Sequence, residues 1–274
     1  MCASDENEKK RSKIVCAMLR LAACSDLRSG ILVSLKKGKK PLSELRDELE
    51  ASSTTTIHAL RELEKGKLIF QDEAKDYVLT KIGEIIALKL LDFFKAIDVL
   101  EKYEDFWLNH DLSCVPEHLL ERIGELQNSS MIEAPAADVL QVFTSFVDML
   151  RNAKEIRGVT SMFIPDFGSL LKELTIERNI CVELVVSKEV LGGIDQEILK
   201  EILSEKNSKL KLYVMKKDLK AAFTITDSLL SFGLFNFEGT YDWNKDIIDS
   251  TKEGIEWGWE LFEWYRKRSD EFHL

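Results

Sequence analysis

The 274-residue chain lacks the cysteine and hydrophobic patterns of several protein classes. Its five cysteines are an odd number and include no CxxC pair, which argues against a disulfide framework and a zinc ribbon. Cys16 and Cys24 lie two helical turns apart, a spacing that favours a buried stripe over a redox pair or a soft-metal site. No apolar run approaches the roughly 18 residues that span a membrane. We therefore expect a cytoplasmic protein without membrane contact.

Catalytic motifs are also missing from the sequence. No Walker A, GxSxG or HExxH pattern occurs, and none of the four histidines is followed two residues later by lysine. A phospholipase D-like nuclease needs that His-x-Lys pair. His110, Cys114 and His118 are spaced by four residues, but Pro116 disfavours one helix through all three. We expect no enzyme activity, no cofactor and no metal; the alternative is an enzyme that acts on phosphodiesters.

The net charge of −10 is unevenly distributed. Residues 1–81 carry 16 basic and 13 acidic side chains, whereas residues 82–274 carry 22 and 35. A basic module on an acidic body is typical of a DNA-binding domain joined to an effector domain. The excess of +3 is small, so binding would depend on local clusters such as the one that contains Lys39 and Lys40.

Residues 1–80 predict a winged helix-turn-helix. Helical patterns precede Pro41, follow it, and recur over residues 52–65, where Ile57, Leu60 and Leu63 form the expected buried side. Two short apolar runs at residues 68–70 and 77–79 predict a hairpin. A helix that enters the major groove of double-stranded DNA end-on would use its first-turn hydroxyls and its exposed basic side chains. The candidate DNA contacts are Lys39, Lys40, Ser53, Thr54, Thr55, His58, Arg61, Lys65 and Lys75. A protein-interaction adaptor is the alternative use of such a module.

Residues 81–134 predict a dimerisation helix and a connector. From Lys81 to about His110 the chain has no proline, and apolar residues recur at heptad spacing. The expected seam consists of Ile86, Leu90, Phe93, Ile97, Leu100 and Trp107. The alternative is a long helix that packs on its own domain.

Residues 135–274 predict an α/β effector domain with a mixed sheet. Three strands alternate with helices, which indicates parallel pairing, and two further strands at 221–226 and 229–237 indicate an antiparallel pair. An aromatic-rich helix at 251–267 closes the chain. Small molecules bind such sheets beyond the carboxyl ends of the strands. The candidate effector-binding residues are Ser161, Phe163, Asp166, Thr224, Thr226 and Asp227, with ordinary turn and cap roles as the alternative.

Three segments carry a family resemblance. Residues 52–65 (SSTTTIHALRELEK) resemble the recognition helix of ArsR-like winged-helix regulators, and 77–83 (YVLTKIG) resemble their second wing strand. Residues 234–242 (LFNFEGTYD) and 256–266 (EWGWELFEWYR) are similar to the effector domain of the archaeal methanogenesis-regulatory protein family. At a coarse level the C-terminal half also resembles the phospholipase D-like effector domains of sugar-sensing archaeal regulators. The resemblance implies a homodimeric transcriptional regulator with a two-domain α+β fold. For Asp242 and Trp243 it leaves open a structural turn or a ligand contact.

Overall fold

A computed structural model describes residues 2–133, 139–162, 166–205, 207–216 and 219–273, with only the backbone for residues 2–10 and 139–145. The chain divides into two compact units, Met1–Lys95 and Ala96–Leu274. Each unit has its own hydrophobic core. No helix in the described part of the chain is long and apolar enough to cross a membrane.

The first unit has the order of helices and hairpin that the sequence predicts. Its elements are α1 (Cys2–Ala23), α2 (Asp26–Lys36), α3 (Leu42–Glu48), α4 (Ser53–Lys65), β1 (Ile69–Gln71), β2 (Tyr77–Leu79) and the start of α5 (Lys81–Lys102). The strands β1 and β2 pair antiparallel, with Ile69 opposite Leu79. An isolated antiparallel backbone bridge between Lys40 and Tyr77 extends this small sheet beyond β2.

Close packing around the hairpin fixes the start of α5. The core of this unit contains Leu32, Leu45, Leu60 and Leu63, all buried from solvent. A Cβ added at Gly83 would lie 1.9 Å from the backbone oxygen of Leu68, so only glycine permits this approach of helix and hairpin.

Two expectations for the first unit were wrong in detail. Cys16 and Cys24 are exposed rather than buried, because α1 turns other residues, including Ala22, toward the core. On α4, Ile57 is only half-buried, whereas Thr56 and Ala59 join the buried side.

The long helix ends earlier than the sequence predicts. The chain leaves helical geometry at Tyr103, with φ −125° and ψ 36°, and resumes as α6 (Glu104–Asn109). Tyr103, Phe106 and Trp107 are buried, and the indole of Trp107 donates a hydrogen bond to the carbonyl of Val99 at 3.0 Å. Burial of these aromatic side chains is the physical reason for the break. Trp107 therefore belongs to a hydrophobic core and not to the predicted seam.

The second unit is built on a mixed sheet. Its helices are α6, α7 (Glu117–Leu120), α8 (Val139–Asn152), α9 (Phe167–Lys172), α10 (Lys188–Gly193), α11 (Gln196–Ser204) and α12 (Lys252–Arg266). Its strands are β3 (Ser130–Glu133), β4 (Glu155–Thr160), β5 (Cys181–Val186), β6 (Leu210–Val214), β7 (Ala221–Thr226), β8 (Leu230–Leu234), β9 (Lys245–Asp249) and β10 (Asp270–Glu271). The described strands form one sheet in the order β10-β6-β5-β4-β7-β8-β9-β3. As expected, β4, β5 and β6 are parallel and β7 pairs antiparallel with β8.

A core lies on each face of this sheet. On one face Val159, Phe223 and Phe232 pack with Trp257 of α12. The segment that the sequence suggested as a connector packs in this same core, where the carbonyl of Leu119 accepts a hydrogen bond from the Trp257 indole at 3.0 Å.

The opposite face holds the residues that position the candidate effector site. There Ile156 and Leu184 pack against α9 and α11. Toward β8 and β9 this face changes from large apolar side chains to small or polar ones, such as Ala222, Ser231 and Asp246. The change leaves space beside the sheet.

Candidate functional site

The exposed face of α4 is the candidate nucleic-acid interface. Ser52 caps the helix, and its Oγ accepts a hydrogen bond from the backbone N–H of Thr55 at 3.2 Å. Because the hydroxyl of the buried Thr56 donates back to the carbonyl of Ser52, the first turn is well anchored. The predicted side chains on this helix are all exposed: Ser53, Thr54, Thr55, His58, Arg61 and Lys65. Those at 54, 58, 61 and 65 are three or four residues apart and form one stripe.

Arg28 of α2 links α4 to α1. Its guanidinium lies 2.6 Å from a carboxylate oxygen of Glu62 on α4, and it also donates to the carbonyls of Leu21 and Arg20 at 2.7 and 3.0 Å. Charge-assisted hydrogen bonds of this kind restrict orientation more than neutral ones. This ion pair therefore helps to hold the orientation in which α4 presents the stripe.

Two predicted DNA-binding lysines are engaged inside the unit. Lys39 contacts Asp72 at 2.9 Å and Asp76 at 3.3 Å, and hydrogen bonds to these carboxylates raise its pKa. Lys40 is 14% exposed and pairs with Glu44 and Glu48, which raises its pKa in the same way. Neither ammonium group is free to reach a phosphate without breaking these pairs.

The hairpin places the remaining wing lysine at its tip. Lys75 is exposed and has a left-handed φ of 69°, which turns the chain between β1 and β2. The turn is held by Asp72, whose Oδ1 accepts hydrogen bonds from the backbone of Ala74 and Asp76 at 3.0 Å each. Lys75 is thus an exposed basic side chain at the tip of the hairpin, at the position that the sequence predicts.

A cavity of about 160 Å³ lies beside the sheet of the second unit. Its walls come from β4, β5, β7, β8 and β9, from α8 and α9, and from the loop that follows β8. Most of the lining is apolar, including Phe146, Phe167 and Leu184. Cavities of this kind, largely apolar with a few polar groups, are typical of small-molecule sites.

The polar end of the cavity is formed by Asp246, Ser231 and Tyr241. Ser231 donates a hydrogen bond to Oδ2 of Asp246. Oδ1 of Asp246 is buried and has no hydrogen-bond partner among the described residues. Burial raises the pKa of Asp246 to about 7, and it raises the pKa of Tyr241 well above its usual value.

Small residues make room for the aromatic ring of Tyr241. A Cβ on Gly233 would lie 2.0 Å from the Tyr241 hydroxyl, so the ring packs directly on the β8 backbone. Tyr241 also contacts Phe235 and Trp243 edge-to-face, with ring centroids 5.3 and 5.1 Å away. The loop therefore delivers aromatic side chains to the cavity in a defined arrangement.

His110 ties this loop to the chain segment that follows α6. One ring nitrogen of His110 lies 2.7 Å from the carbonyl of Phe106, and the other lies 3.1 Å from a carboxylate oxygen of Asp242. Asp242 lines the cavity, and His110 is buried. In addition, the N–H of Asp111 donates to the carbonyl of Phe235 at 2.8 Å. These contacts join the cavity wall to the end of α6.

The predicted effector-binding residues lie at different positions relative to the cavity. Thr224 lines the cavity. Ser161 lies between two lining residues, and Asp166 precedes α9 with a left-handed φ of 60° without lining the cavity itself. Phe163 lies outside the described residues.

Thr226 and Asp227 belong to the turn after β7, away from the cavity. The Thr226 hydroxyl accepts hydrogen bonds from the backbone of Ser228 and Leu229, and Asp227 accepts one from the backbone of Lys154 at 2.8 Å. The turn itself therefore satisfies these polar groups, as in the alternative that the sequence left open.

The sequence reasoning missed Ser231, Tyr241 and Asp246, which form the polar end of the cavity. Asp242 and Trp243 line it as well, while Oδ1 of Asp242 accepts a turn hydrogen bond from the backbone of Asn244 at 2.9 Å, so the structure is compatible with both interpretations. In the described part of the chain no cluster of three or more His, Cys, Asp or Glu side chains could hold a metal ion. Cys114 is buried in a hydrophobic core, which raises the pKa of its thiol to about 12.

Comparisons with known proteins agree on one family. Residues 16–98 match the family model of the methanogenesis regulatory protein FilR1, N-terminal domain, and residues 139–268 match that of its middle domain. The methanogenesis regulatory protein FilR1 of Methanothrix harundinacea (strain 6Ac) is 30% identical over 259 residues, which is 92% of this chain. The chain spans 57% of the length of that relative.

Solved structures match this chain at low similarity. The archaeal chromatin protein TrmBL2 is 17% identical, with 94% of this chain and 100% of that chain covered and a TM-score of 0.42. The phospholipase D family member Nuc from Salmonella typhimurium is 16% identical, with 54% of this chain and 99% of that chain covered and a TM-score of 0.38.

Proposed function

This chain belongs to the family of the methanogenesis regulatory protein FilR1, and on that premise we propose that it is a dimeric transcriptional regulator that binds double-stranded DNA through α4. The observation that carries the proposal is the exposed stripe of α4, where Arg61, His58 and Lys65 follow a hydroxyl-rich first turn. The free N–H groups of that turn suit a phosphate, and Arg61 has the reach and the paired donors to read a guanine.

The basic contacts are fewer than the sequence suggests. Lys39 and Lys40 are paired with acids, so we assign phosphate contact to Lys65 and to Lys75 at the wing. A single unit with so few contacts would bind weakly, since nonspecific affinity depends on the number of phosphates neutralised. Two linked copies would raise the effective concentration of the second and compensate for this weakness.

The apolar face of α5 supports a dimer. Phe93, Ile97 and Leu100 are 58, 42 and 45% exposed and share one side of the helix with the half-buried Ile86. We call these four residues and Ile82 the α5 seam. Their spacing of three, four and seven residues fits a helix that pairs with a copy of itself, and the exposure of such large side chains favours a partner. Leu90 is buried in the core of the first unit and is not part of the seam.

We assign a sensing role without catalysis to the second unit. The described lining of its cavity contains no histidine, cysteine or lysine, the side chains that most often serve as activated nucleophile or base. The sequence also lacks the His-x-Lys pair of phospholipase D-like nucleases. A largely apolar cavity with a polar end is better suited to binding a small effector.

DNA binding is tested with promoter fragments from the host genome at about 150 mM salt. Arg61→Ala should weaken binding to the preferred fragment by roughly 1–3 kcal/mol if Arg61 reads a base. Lys200→Ala is the matched control, because it removes one exposed positive charge from the second unit. If no fragment binds more tightly than random DNA, with and without effector candidates, the proposal is wrong. Loss of affinity in both variants alike would point to a general charge effect instead.

A further inference from the structure

The polar end of the cavity contains a buried carboxylate that DNA binding by α4 does not use. Asp246 sits on β9 at the edge of a cavity of about 160 Å³, and its Oδ1 is buried without a partner among the described residues. The other oxygen accepts a hydrogen bond from Ser231. Burying an unpaired carboxylate is unfavourable unless a counter-charge or a donor compensates for the lost water. Oδ1 of Asp246 is thus an acceptor at the cavity that a donor from outside the chain could satisfy.

The chemistry of the walls indicates which kind of donor fits. The charged side chains among the described lining residues are Asp242 and Asp246, and both are acidic. Aromatic rings surround the same space, with Tyr241 and Trp243 on the loop and Phe146 and Phe167 on the helices. Carboxylates combined with aromatic faces are the environment in which organic ammonium ions bind. An anionic ligand would meet repulsion from both acids.

We infer that this cavity binds a small organic ammonium ion, with its N–H donors on Oδ1 of Asp246 and its hydrocarbon part against the apolar wall. The inference rests on the proposed sensing role of the second unit. The size of the cavity limits the ligand, because a cavity of about 150 Å³ holds a molecule the size of benzene. Ligands with roughly five to eight non-hydrogen atoms therefore fit.

The neighbours of Asp246 define how binding depends on pH. Tyr241 and Asp242 on the preceding loop are the titratable groups beside it, β8 contributes Ser231, and β3 places Ile132 opposite it. With a pKa of about 7, the carboxyl group of Asp246 in the ligand-free protein is mostly protonated at pH 5.5 and mostly ionised at pH 8. Since the ammonium ion binds the carboxylate, its affinity should rise by roughly thirtyfold from pH 5.5 to 8.

Calorimetric titration of the full chain with benzylammonium and with benzyl alcohol tests this inference. The ammonium ion should bind more tightly than the alcohol at pH 8, and Asp246→Asn should lower its affinity at least tenfold while leaving the alcohol unchanged. Glu238→Gln is the control, because it removes an exposed carboxylate from the same loop outside the cavity lining. Equal binding of the ammonium ion by the wild type and Asp246→Asn would overturn the inference.

The pH series on the unmodified chain keeps the test decisive if Asp246→Asn fails to fold. An affinity for benzylammonium that does not change between pH 5.5 and 8 would also overturn it. The outcome is independent of DNA. If benzylammonium binds through Asp246 but no promoter fragment is bound, the regulator proposal fails and the cavity assignment stands. If promoter DNA is bound but benzylammonium is not, the cavity assignment fails alone.

Discussion

At the scale of single residues, the stability of the first unit depends on the absence of a side chain at Gly83. A methyl group there would overlap the backbone oxygen of Leu68, and a backbone atom cannot move aside as a flexible side chain can. We predict that Gly83→Ala destabilises the first unit by about 1–3 kcal/mol, as overpacking of a close contact typically does. Thermal unfolding followed by circular dichroism measures the effect.

The control for this prediction is Gly192→Ala near the end of α10. A Cβ there meets nothing within 4 Å, so the melting temperature should stay the same or rise slightly. A melting curve of Gly83→Ala that coincides with the wild-type curve would contradict the proposed contact.

Residue-level prediction from the sequence succeeded where a local pattern decides exposure. Arg61 and Lys65 could be placed on the outer side of α4 because the buried stripe of that helix is readable at 3.6-residue spacing. It did not anticipate the ion pairs of Lys39 and Lys40. The partners of Lys40 are four and eight residues away, whereas those of Lys39 come from the distant hairpin. Asp72 is 33 residues from Lys39, and no local pattern indicates that pair.

At the scale of elements, the α5 seam carries the dimer proposal. We predict that Phe93→Glu converts the dimer to a monomer, because it places a charge at the centre of the apolar face. DNA affinity should fall at least tenfold as the avidity of two linked units is lost. Light scattering coupled to size-exclusion chromatography measures the mass, and a gel-shift assay measures the affinity.

Leu88→Glu is the matched control for the seam. Leu88 is 50% exposed but lies on another side of α5, so the same chemical change should leave the mass at that of a dimer. A wild-type protein that is already monomeric at micromolar concentration would refute the seam. A dimer that survives Phe93→Glu would place the interface elsewhere.

Elements were predictable where most of their side chains are apolar. Strands β5 and β7 were located because most of their residues are buried on both faces, although Glu183 interrupts the apolar sequence of β5. Strand β9 was missed because its sequence, KDIID, contains three charges. One of these, Asp246, faces the cavity, and Asp249 caps the turn before α12 by accepting hydrogen bonds from Thr251. Because these charged residues interrupt the apolar pattern, the sequence did not predict the strand.

At the scale of the whole molecule, the cavity could not have been predicted from the sequence. Its walls come from five strands, two helices and a loop spread over about 100 residues, and small residues such as Gly158 and Ala222 lie among the lining. The charge division was readable, since counting residues requires no fold. What the sequence could not reveal is the contact between Asp242 and His110, which lie 132 residues apart.

That contact leads to a prediction about coupling between ligand and DNA. A ligand in contact with Asp246 and Trp243 would also contact the loop that contains Asp242. His110 connects this loop to α6, which follows α5 directly in the chain. We predict that His110→Gln still binds benzylammonium within about threefold of wild type but loses the ligand-dependent change in DNA affinity. Allosteric coupling of this kind is typically worth 5- to 150-fold in affinity, so its loss is measurable by DNA titration with and without ligand.

Glu238→Gln, on the same loop but exposed to solvent, should keep the full response to the ligand. Circular dichroism of His110→Gln establishes that the variant is folded, since the buried ring also packs on Phe106 with centroids 4.4 Å apart. A folded His110→Gln that responds to ligand as strongly as wild type would show that the signal bypasses His110. The backbone hydrogen bond between Asp111 and Phe235 would then be the remaining described connection from the loop to the end of α6, because it joins the same two segments without the imidazole.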